Sequence, residues 1–400
     1  MSDSNRVAVL YAAPLVFLGD DGTPHAVDVL DFESERKMIL DSLKKCGRPL
    51  EISFQPATRD SFRETLTLGC NVLHYSGHGN PGFLAFEDDR GQAHPLDPAT
   101  LRRLFAAGGT KADLVFVSAC HSRAAGQAFV GAGVPHVVAI KLDAPVYDRA
   151  ARDFAHHFYM ALASGKTVRE AFDVGRAIVA ADPELADAAA EADKFLLMPA
   201  NGGHNVQIFA GSANGNLEDS SAAPPRSKLP SVAEHFTGRA IDMQGVLDLV
   251  LSARLTTLRG APGIGKTALA IATGHYLNER RKFSDGIFFA DIRGAISPDA
   301  ARVAISGAVG VEVPDDEALF RSLARLDLLV ILDNCEDVLN RAASGFRKFV
   351  SRLLQEAHGV KLLITSRQAV GPGIPGVAEK VHHLRRLSDL DAARLFLRLA

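Results

Sequence analysis

A histidine and a cysteine each follow a short apolar segment, and these two residue types can act together as base and nucleophile. The segments are VLHYSGHG, which contains His78, and VFVSAC, which ends at Cys120. Apolar runs bounded by small residues predict buried strands that open into loops. An imidazole that takes the thiol proton produces the thiolate, the nucleophilic form of cysteine. The backbone N–H groups of Gly79 and Cys120 are then the expected donors to an oxyanion.

A helix between the two segments would bring both strand ends to one place. The stretch PLDPATLRRLFAAGG has a helix start at Asp97-Pro98, followed by Leu101, Leu104 and Phe105 at helical spacing. A right-handed strand–helix–strand unit places the carboxyl ends of both strands at the same edge of a parallel sheet. We therefore expect His78 and Cys120 to lie side by side at that edge.

The sequence segments around His78 and Cys120 resemble those of a known family. HYSGHG and SAC, followed by GQAFVGAGVPHVVAI and VYDRAARDFAHHFYMALASGKTVREAFDVGRA, resemble the CHAT family of caspase- and separase-like cysteine proteases over residues 6–210. The resemblance implies a caspase-like α/β/α sandwich over residues 1–210, with His78 as general base and Cys120 as nucleophile. The alternative is a signalling NTPase whose protease-like domain is a non-catalytic docking platform; the intact His78 and Cys120 argue against it.

Four other polar residues near the expected site have two interpretations. Asp143 and Asp148 follow the strand after Cys120. In one interpretation, either aspartate lines the substrate pocket and receives a basic side chain. In the other, they belong to a loop turn and Asp148 is a helix N-cap. His74 lies on the same strand face as His78, and we expect a packed strand histidine rather than a site residue. His121 adjoins Cys120, but adjacent side chains normally point in different directions.

A second chemical motif is GAPGIGKT, which has the spacing of a phosphate-binding loop. Such a loop wraps phosphates with backbone N–H groups, adds a lysine charge, and offers a hydroxyl to Mg²⁺ at a helix N-terminus. The residues expected to bind nucleotide in this motif are Gly260, Gly263, Gly265, Lys266 and Thr267.

Two later strands end in residues that suit the same site. The segment LDLLVILDNCED contains a strand that ends near Asp333, and we expect the Asp333 carboxylate and Thr267 to hold Mg²⁺. The segment KLLITSR ends in Arg367, which can reach a terminal phosphate. Glu336 would either polarise the attacking water or begin the next helix, and we favour the second interpretation. Cys335 is expected to be a small, half-buried hydrophobe.

This second series also resembles a family. FTGR, GAPGIGKT, LLVILDNCED and KLLITSR together resemble the nucleotide-binding domain of NB-ARC-type (STAND) signalling NTPases, from about residue 235 to the end. The resemblance implies bound ATP or ADP with Mg²⁺, a slow switch-like ATPase, and an adenine pocket closed by Phe236 and Arg239. The last helical pattern is the kind that opens a helical subdomain, so we expect the winged-helix and repeat-sensor parts of such a module to be missing.

The amino-acid composition indicates the class of protein and argues against some kinds of partner. The chain has 400 residues, 47% hydrophobic and 23% charged, which is typical of a globular protein with two or three domains. The net charge of −3 argues against a broad nucleic-acid surface, and no apolar stretch is long enough for a membrane span. The cysteines are scattered along the sequence, so they predict neither a disulfide framework nor a metal site. This distribution is typical of a protein in a reducing cytoplasm. They are Cys46, Cys70, Cys120 and Cys335.

The predicted architecture is therefore an α/β protein of two modules. A protease domain over 1–210 precedes a flexible linker over 211–230, rich in Gly, Ser, Asn and Pro, and a P-loop NTPase α/β domain over 231–400. The expected function is a regulated cysteine endopeptidase controlled by an ATP-binding module, in bacterial defence or cell-death signalling. Expected partners are a protein substrate and an upstream sensor, or self-assembly through the NTPase module.

Overall fold

The chain forms two compact units, each built on its own mainly parallel sheet. The computed structural model describes residues 5–107, 112–141, 147–209, 215–221, 225–371 and 376–399. One unit comprises Met1–Leu18 and Val27–Ala222, and the other comprises Gly19–Ala26 and Ala223–Ala400. The predicted α/β class is confirmed for both units.

The elements up to residue 219 alternate between strands and helices. The strands are β1 (Asn5–Tyr11), β2 (Val16–Leu18), β3 (Pro24–Ala26), β4 (Leu50–Pro56), β5 (Val72–Ser76), β6 (Gly79–Asn80), β7 (Phe83–Glu87), β8 (Ala93–Leu96), β9 (Leu114–Ser118), β10 (His136–Ile140), β11 (Phe195–Met198) and β12 (Leu217–Asp219). The helices are α1 (Phe32–Lys44), α2 (Arg59–Leu68), α3 (Pro98–Ala107), α4 (Arg123–Gly131), α5 (Asp148–Ala163), α6 (Val168–Ala180) and α7 (Ala188–Ala192).

The main sheet of the first unit has seven strands in the order β11-β10-β9-β5-β1-β4-β12. All neighbouring pairs are parallel except β10 and β11. Strands β5 and β9 are adjacent, with Ser76 opposite Ser118. The predicted strand–helix–strand unit is thereby confirmed, and it brings the chain after β5 and the chain after β9 to one edge.

Apolar residues on both faces of the strands explain why this sheet is buried. In β1, Val7 and Val9 pack with α1, α5 and α6, while Ala8 and Leu10 pack with α2, α3 and α4 on the other face. Near-continuous apolar strands are expected when helices cover both faces of a parallel sheet. The first unit is a three-layer α/β/α sandwich, as predicted.

A small antiparallel sheet was not predicted. Strands β6, β7 and β8 form it between β5 and α3, and it follows directly from the loop that carries His78. Its strands are only two to five residues long, and short strands carry little periodic signal.

The second unit contains a six-stranded parallel sheet. Its strands are β13 (Ser227–Lys228), β14 (Leu255–Arg259), β15 (Gly286–Asp291), β16 (Leu328–Asp333), β17 (Val360–Ser366) and β18 (Glu379–His383), in the order β13-β15-β16-β17-β14-β18. Its helices are α8 (Ala240–Ser252), α9 (Lys266–Glu279), α10 (Asp299–Val309), α11 (Asp316–Leu323), α12 (Glu336–Arg341), α13 (Ala343–Glu356) and α14 (Asp389–Leu399). The carboxyl ends of β14, β16 and β17 therefore meet at one edge.

The described part of the predicted linker does not behave as a free linker. Strand β12 extends the first sheet by pairing with β4, and β13 extends the second sheet by pairing with β15. The prediction was wrong for these residues because edge-strand pairing uses backbone N–H and C=O groups and does not require apolar side chains. The first unit thus continues past residue 210, where we predicted its end.

A core substitution should measure how strongly the packing between helix and sheet stabilises the first unit. Phe154 is fully buried on α5, and its ring stacks on Phe195 of β11 with 4.0 Å between the ring centroids. Phe154→Ala should lower the free energy of unfolding of this unit by about 3–5 kcal/mol, because the cavity cannot close. Scanning calorimetry tests this against Val29→Ala, a residue that is 93% exposed.

Candidate functional site

The loops after β5 and β9 enclose a cavity of about 140 Å³ that contains both predicted catalytic side chains. His78 and Cys120 line it together with Gly79, and both side chains are half-buried. The structure thus brings the predicted base and nucleophile together, at the edge where parallel strands present their carboxyl ends.

A backbone carbonyl orients the His78 ring. His78 Nε2 lies 2.8 Å from the carbonyl oxygen of Asp28. A carbonyl only accepts, so Nε2 carries the proton and donates, which leaves Nδ1 unprotonated in the neutral ring. His78 Nδ1 is therefore the atom available to take a proton from a thiol.

The turn that carries Cys120 is held by a serine that we did not predict. Ser122 Oγ accepts from the N–H of Ile140 at 3.0 Å and lies 3.4 Å from the carbonyl of Val117, so one side chain ties the turn to β10 and β9. His121 has a left-handed backbone with φ of 55° and is not among the residues that line the cavity. This agrees with the expectation that His121 lies outside the site.

Gly79 makes a close approach that no larger residue permits. A Cβ built at this position would lie 2.8 Å from the carbonyl oxygen of Cys120 and 3.2 Å from Cβ of Ala119. The two loops of the site therefore touch through the Gly79 backbone. The role of the Gly79 and Cys120 N–H groups as an oxyanion hole remains a prediction.

Gly79→Ala should move the two loops apart, because backbone atoms rather than a flexible side chain meet the new methyl group. A displacement of about 1 Å in a catalytic arrangement costs about 10²-fold in rate, and we expect a loss of that order in peptide cleavage. The control is Gly82→Ala, where the new Cβ meets nothing closer than 3.4 Å. Equal rates for both variants would show that the close approach is unimportant.

A buried hydrogen-bond network lies beneath this pair. The carboxylate of Glu35 on α1 bonds His74 Nε2 at 3.2 Å, Ser118 Oγ at 3.1 Å, and Ser76 Oγ. His74 Nδ1 in turn lies 2.8 Å from the hydroxyl of Tyr159. His74 is fully buried, as expected for a packed strand histidine, but it also positions a carboxylate in the cavity wall.

Glu35 is ionised in this setting. Burial alone would raise the pKa of its carboxyl group, but the hydrogen bonds and charge of His74, together with the two serine hydroxyls, outweigh burial and hold the pKa below its ordinary value. Burial raises the pKa of Tyr159 well above its ordinary value, so its hydroxyl keeps its proton.

Neither of the aspartates predicted for the substrate pocket is placed there by the structure. Asp143 lies outside the described residues. Asp148 is the first residue of α5, after Tyr147 as N-cap, and its side chain is not among those described. The acidic residues that the structure does place on the cavity wall are Asp31 and Glu35.

A larger cavity of about 540 Å³ lies at the edge of the second sheet. Its lining includes Gly263, Gly265, Lys266, Thr267 and Arg367, all predicted to bind nucleotide. A volume of this size lies in the range of small-molecule and cofactor sites.

The phosphate-binding loop has the backbone that its glycines predict. Gly263 and Gly265 have φ of 70° and 99°, in the left-handed region, and Gly265 is the N-cap of α9. Lys266 Nζ donates to the carbonyls of Gly260 and Ala261 at 3.1 and 3.0 Å. Burial lowers the pKa of Lys266, partly offset by the charge of Glu336. The loop therefore presents N–H groups and a positive charge to an anion.

The residues predicted to hold Mg²⁺ are in contact. Thr267 Oγ1 lies 3.0 Å from each carboxylate oxygen of Asp333, which also accepts from Thr365 Oγ1. Burial raises the pKa of Asp333, and the neighbouring carboxylate of Asp291 adds to this, while the threonine hydroxyls oppose it. A hydroxyl beside a carboxylate suits Mg²⁺, which usually takes one or two protein ligands with water and phosphate oxygens. These donors therefore fit the ion.

Arg239 supports the phosphate-binding loop from behind. Its guanidinium donates to the carbonyl of Ile264 at 3.0 Å and to Asp242 and the Arg385 carbonyl at 2.8 Å, and it does not line the cavity. Phe236 is half-buried and also lies outside the lining. Closure of an adenine pocket by these two residues remains a prediction.

Sequence reasoning missed or undervalued several charged or polar residues that line this cavity, Asp337 and Asn340 among them. Arg293, in the loop after β15, belongs to no motif, and Asn334 lies within LDLLVILDNCED but was given no role; both line the cavity. Glu336 begins α12, as we favoured, but it also lines the cavity, 3.6 Å from Arg367. Its Oε2 atom is buried without a hydrogen-bond partner in the part of the chain that the structure describes. This oxygen therefore lies beside the phosphate-binding loop without a described donor.

Comparison with known families agrees with the first resemblance. Residues 12–190 match the CHAT-domain family. The match covers both His78 and Cys120, as well as Glu35, and stops before the nucleotide-binding residues.

Curated relatives share only part of the chain. An uncharacterised protein of Mycobacterium tuberculosis is 27% identical over 140 residues, 34% of each protein. A putative HTH-type transcriptional regulator of the same organism is 33% identical over 129 residues, which are 31% of this chain and 14% of the regulator. The chain thus matches about a third of the length of the first relative and 14% of the second.

Solved structures give weaker similarities. The STAND protein with a tetratricopeptide repeat sensor from Pyrococcus horikoshii aligns with 44% of this chain and 27% of its own, at 15% identity and a TM-score of 0.30. The Arg-specific cysteine proteinase gingipain R aligns with 58% of this chain and 52% of its own, at 13% identity and a TM-score of 0.34. At these scores neither similarity bears on function.

Two kinds of feature are absent from the described residues. No helix among them is long and apolar enough to cross a membrane. Within the same residues, no group of three or more His, Cys, Asp or Glu side chains is arranged to hold a metal ion. A Mg²⁺ ion held by Thr267, one carboxylate and a nucleotide does not require such a group.

Proposed function

We propose that this chain is a cysteine endopeptidase joined to an ATP-binding signalling module that regulates it. The observation that carries the proposal is the shared cavity of His78 and Cys120, with the His78 ring oriented by the Asp28 carbonyl. The CHAT-domain match over residues 12–190 supports it. The biological setting proposed is bacterial defence or cell-death signalling, with a protein as substrate.

In the proposed mechanism, His78 Nδ1 takes the thiol proton and Cys120 Sγ attacks the peptide carbonyl carbon. The N–H groups of Gly79 and Cys120 stabilise the oxyanion that forms. The imidazolium then protonates the leaving amine, and the C–N bond breaks to give an acyl-enzyme. Water, deprotonated by His78, hydrolyses the thioester and restores the thiol.

The second cavity is proposed to bind ATP or ADP with Mg²⁺. Bound Mg²⁺ neutralises phosphate charge. The N–H groups of the loop from Gly260 to Gly265 and the Lys266 ammonium would contact phosphates, while Thr267 and Asp333 would hold the ion. Arg367, 59% exposed, would reach a terminal phosphate. Nucleotide state is proposed to control assembly or access to the peptidase, together with an upstream sensor or self-assembly.

Digestion of a proteome-derived peptide library tests the peptidase proposal. The purified chain should create new peptide N-termini, detected by mass spectrometry, that share a common sequence context. The matched control is Cys120→Ala, which keeps the cavity and removes only the sulfur. Identical termini with both proteins would favour a docking platform instead of a peptidase.

The orphaned oxygen of Glu336 leads to a prediction for ATP hydrolysis. Glu336→Gln should slow hydrolysis by about 10²-fold or more, because the amide cannot accept a proton from water. Nucleotide affinity, measured by calorimetry, should change little. Asp337→Asn is the control, because Asp337 lines the same cavity while its Oδ2 accepts from the N–H of Gly294. Equal hydrolysis by Glu336→Gln and wild type would remove Glu336 from this role.

A further inference from the structure

The second cavity contains a cationic side chain that belongs to none of the predicted nucleotide-binding motifs. The cations of its described lining are Lys266, Arg293 and Arg367. Lys266 belongs to the phosphate-binding loop and Arg367 follows β17, whereas Arg293 follows the carboxyl end of β15. Guanidinium groups bind phosphate by charge-assisted hydrogen bonds, so an arginine on the wall of this cavity is a candidate phosphate ligand.

The backbone on both sides of Arg293 is held by hydrogen bonds. The Asp291 carboxylate accepts from the Arg293 N–H at 2.9 Å, so the chain turns directly after β15. Ile292 is buried, and the N–H of Gly294 donates to the Asp337 carboxylate at 3.0 Å. The exposed Arg293 side chain therefore extends from a backbone that is fixed in place.

The carboxylates around this part of the cavity are bound to other groups. Asp291 Oδ1 also accepts from Asn334 Nδ2, and Asp337 Oδ2 accepts from a backbone N–H. Glu336 lies 3.6 Å from Arg367. Within the part of the chain that the structure describes, no ion pair joins the Arg293 guanidinium to an acidic side chain. Its N–H donors are thus available to an anionic ligand.

The sheet register places Arg293 beside the expected Mg²⁺ site. Asp291 is directly opposite Asp333 in the parallel pairing of β15 with β16, and neighbouring strands lie about 4.8 Å apart. Asn334 Nδ2 bonds both carboxylates, at 2.8 Å to Asp291 and 2.9 Å to Asp333. In nucleotide sites Mg²⁺ bridges oxygens of the last two phosphates of ATP. Arg293, two residues after Asp291, therefore lies on the side of the cavity where the terminal phosphate would be.

Arg293 and Arg367 flank this position. Strand β16, which ends in Asp333, has β15 on one side and β17 on the other, and one arginine follows each of these neighbours. The predicted adenine contact Arg239 belongs to the opposite end of the sheet, where it donates to the Arg385 carbonyl after β18. A bound ADP would therefore lack the phosphate that is nearest to Arg293.

We propose that Arg293 binds the terminal phosphate of ATP and thereby lets the second cavity distinguish ATP from ADP. This inference rests on the proposed nucleotide binding and deepens it, because it names a residue that detects the third phosphate. The planar guanidinium can donate two parallel hydrogen bonds to phosphate oxygens. The preferred ligand class is a nucleoside triphosphate with its Mg²⁺ ion.

Calorimetry of the full chain, with Mg²⁺ present, tests this inference with two ligands, ADP and AMP-PNP, an ATP analogue that resists hydrolysis. Arg293→Ala should weaken AMP-PNP binding by about 10- to 100-fold, the range of a hydrogen bond to a charged group. Its ADP affinity should change little, because a charge that makes no contact with the ligand is screened by salt. The ratio of AMP-PNP affinity to ADP affinity should therefore fall by at least about 10-fold.

Arg325→Ala is the matched control for the loss of an arginine. Arg325 is exposed in the turn before β16, at the amino end of that strand, whereas the cavity lies at the carboxyl ends. This variant should keep both wild-type affinities. Retained ADP binding by Arg293→Ala shows that the cavity is intact; if that variant does not fold, Arg293→Gln takes its place in the same comparison.

The outcomes separate this inference from the proposed nucleotide site. Equal losses of AMP-PNP and ADP affinity in the Arg293 variant, or wild-type affinity for both, overturn the inference and leave a nucleotide site. Binding of neither nucleotide by the wild-type chain overturns the proposed site itself.

Discussion

Peptide cleavage should disappear when either Cys120 or His78 is replaced by alanine, and the double variant should be no slower than the single ones. The reason is that one imidazole activates one thiol, so that removing either partner removes the same step. We expect each single variant to lose at least about 10³-fold in the rate of cleavage, and the losses not to multiply. Initial rates on a peptide identified from the library digestion measure this.

A matched histidine and cysteine elsewhere in the chain provide the controls. His157→Ala alters a half-buried histidine of α5 that bonds the Asp153 carbonyl, and Cys46→Ala removes a free, half-buried cysteine. Both should cleave at close to the wild-type rate. Losses that multiply in the double variant would mean that His78 and Cys120 act independently, which contradicts the proposed mechanism.

The second large effect is expected at the phosphate-binding loop. Lys266→Ala should weaken Mg·ATP binding by about 10- to 100-fold, because hydrogen bonds to charged groups contribute about 1.5–3 kcal/mol. Asp333→Asn should reduce Mg²⁺-dependent hydrolysis more than binding, because the carboxylate organises the ion rather than the phosphates. Calorimetry with ATP, with and without Mg²⁺, together with a phosphate-release assay, distinguishes the two variants.

Lys348→Ala is the control for the loss of a positive charge. Lys348 is exposed on α13, and it is far from the phosphate-binding loop in the sequence. Its affinity for Mg·ATP should equal that of the wild type. If Lys266→Ala also binds Mg·ATP as tightly as the wild type, then the phosphate-binding loop does not bind the nucleotide.

Local rules were enough to predict where His78 and Cys120 would meet. Each follows an apolar run, and the carboxyl ends of parallel strands share an edge whatever the details of packing. The glycines and Lys266 of the second site were predictable for the same reason, because a phosphate-binding loop is made of consecutive residues. In both cases the chemistry is encoded within a few positions of a strand end.

Glu35 was missed because its role depends on how a helix packs on the sheet. It belongs to α1, far from Ser118 in the sequence, and reaches the site because α1 covers that face of the sheet. A signal was present: Glu35 lies four residues before the buried Ile39, on the apolar side of the helix. A carboxylate on a buried helix face needs a partner, and it should have been treated as a candidate site residue.

Some features of the fold and of the two sites depend on the backbone or on the sheet order, and residue types do not predict them. The Asp28 group that orients His78 is a backbone carbonyl, so any side chain would serve there. Backbone pairing likewise made strands out of the polar segments at Leu217–Asp219 and Ser227–Lys228, which composition had predicted to be linker. Arg293 reaches the second cavity from a loop whose position depends on the sheet order.

The central claim is that His78 makes Cys120 a peptide-directed nucleophile, and competitive labelling tests it most directly. A peptidyl acyloxymethyl ketone is added to the native chain, and peptide mapping compares labelling of Cys120 with that of Cys46, which is also free and half-buried. We predict that Cys120 is labelled at least about 10²-fold faster than Cys46, and that His78→Ala removes this difference. Equal labelling of both cysteines in the wild type, or an unchanged Cys120 rate in His78→Ala, would contradict the account.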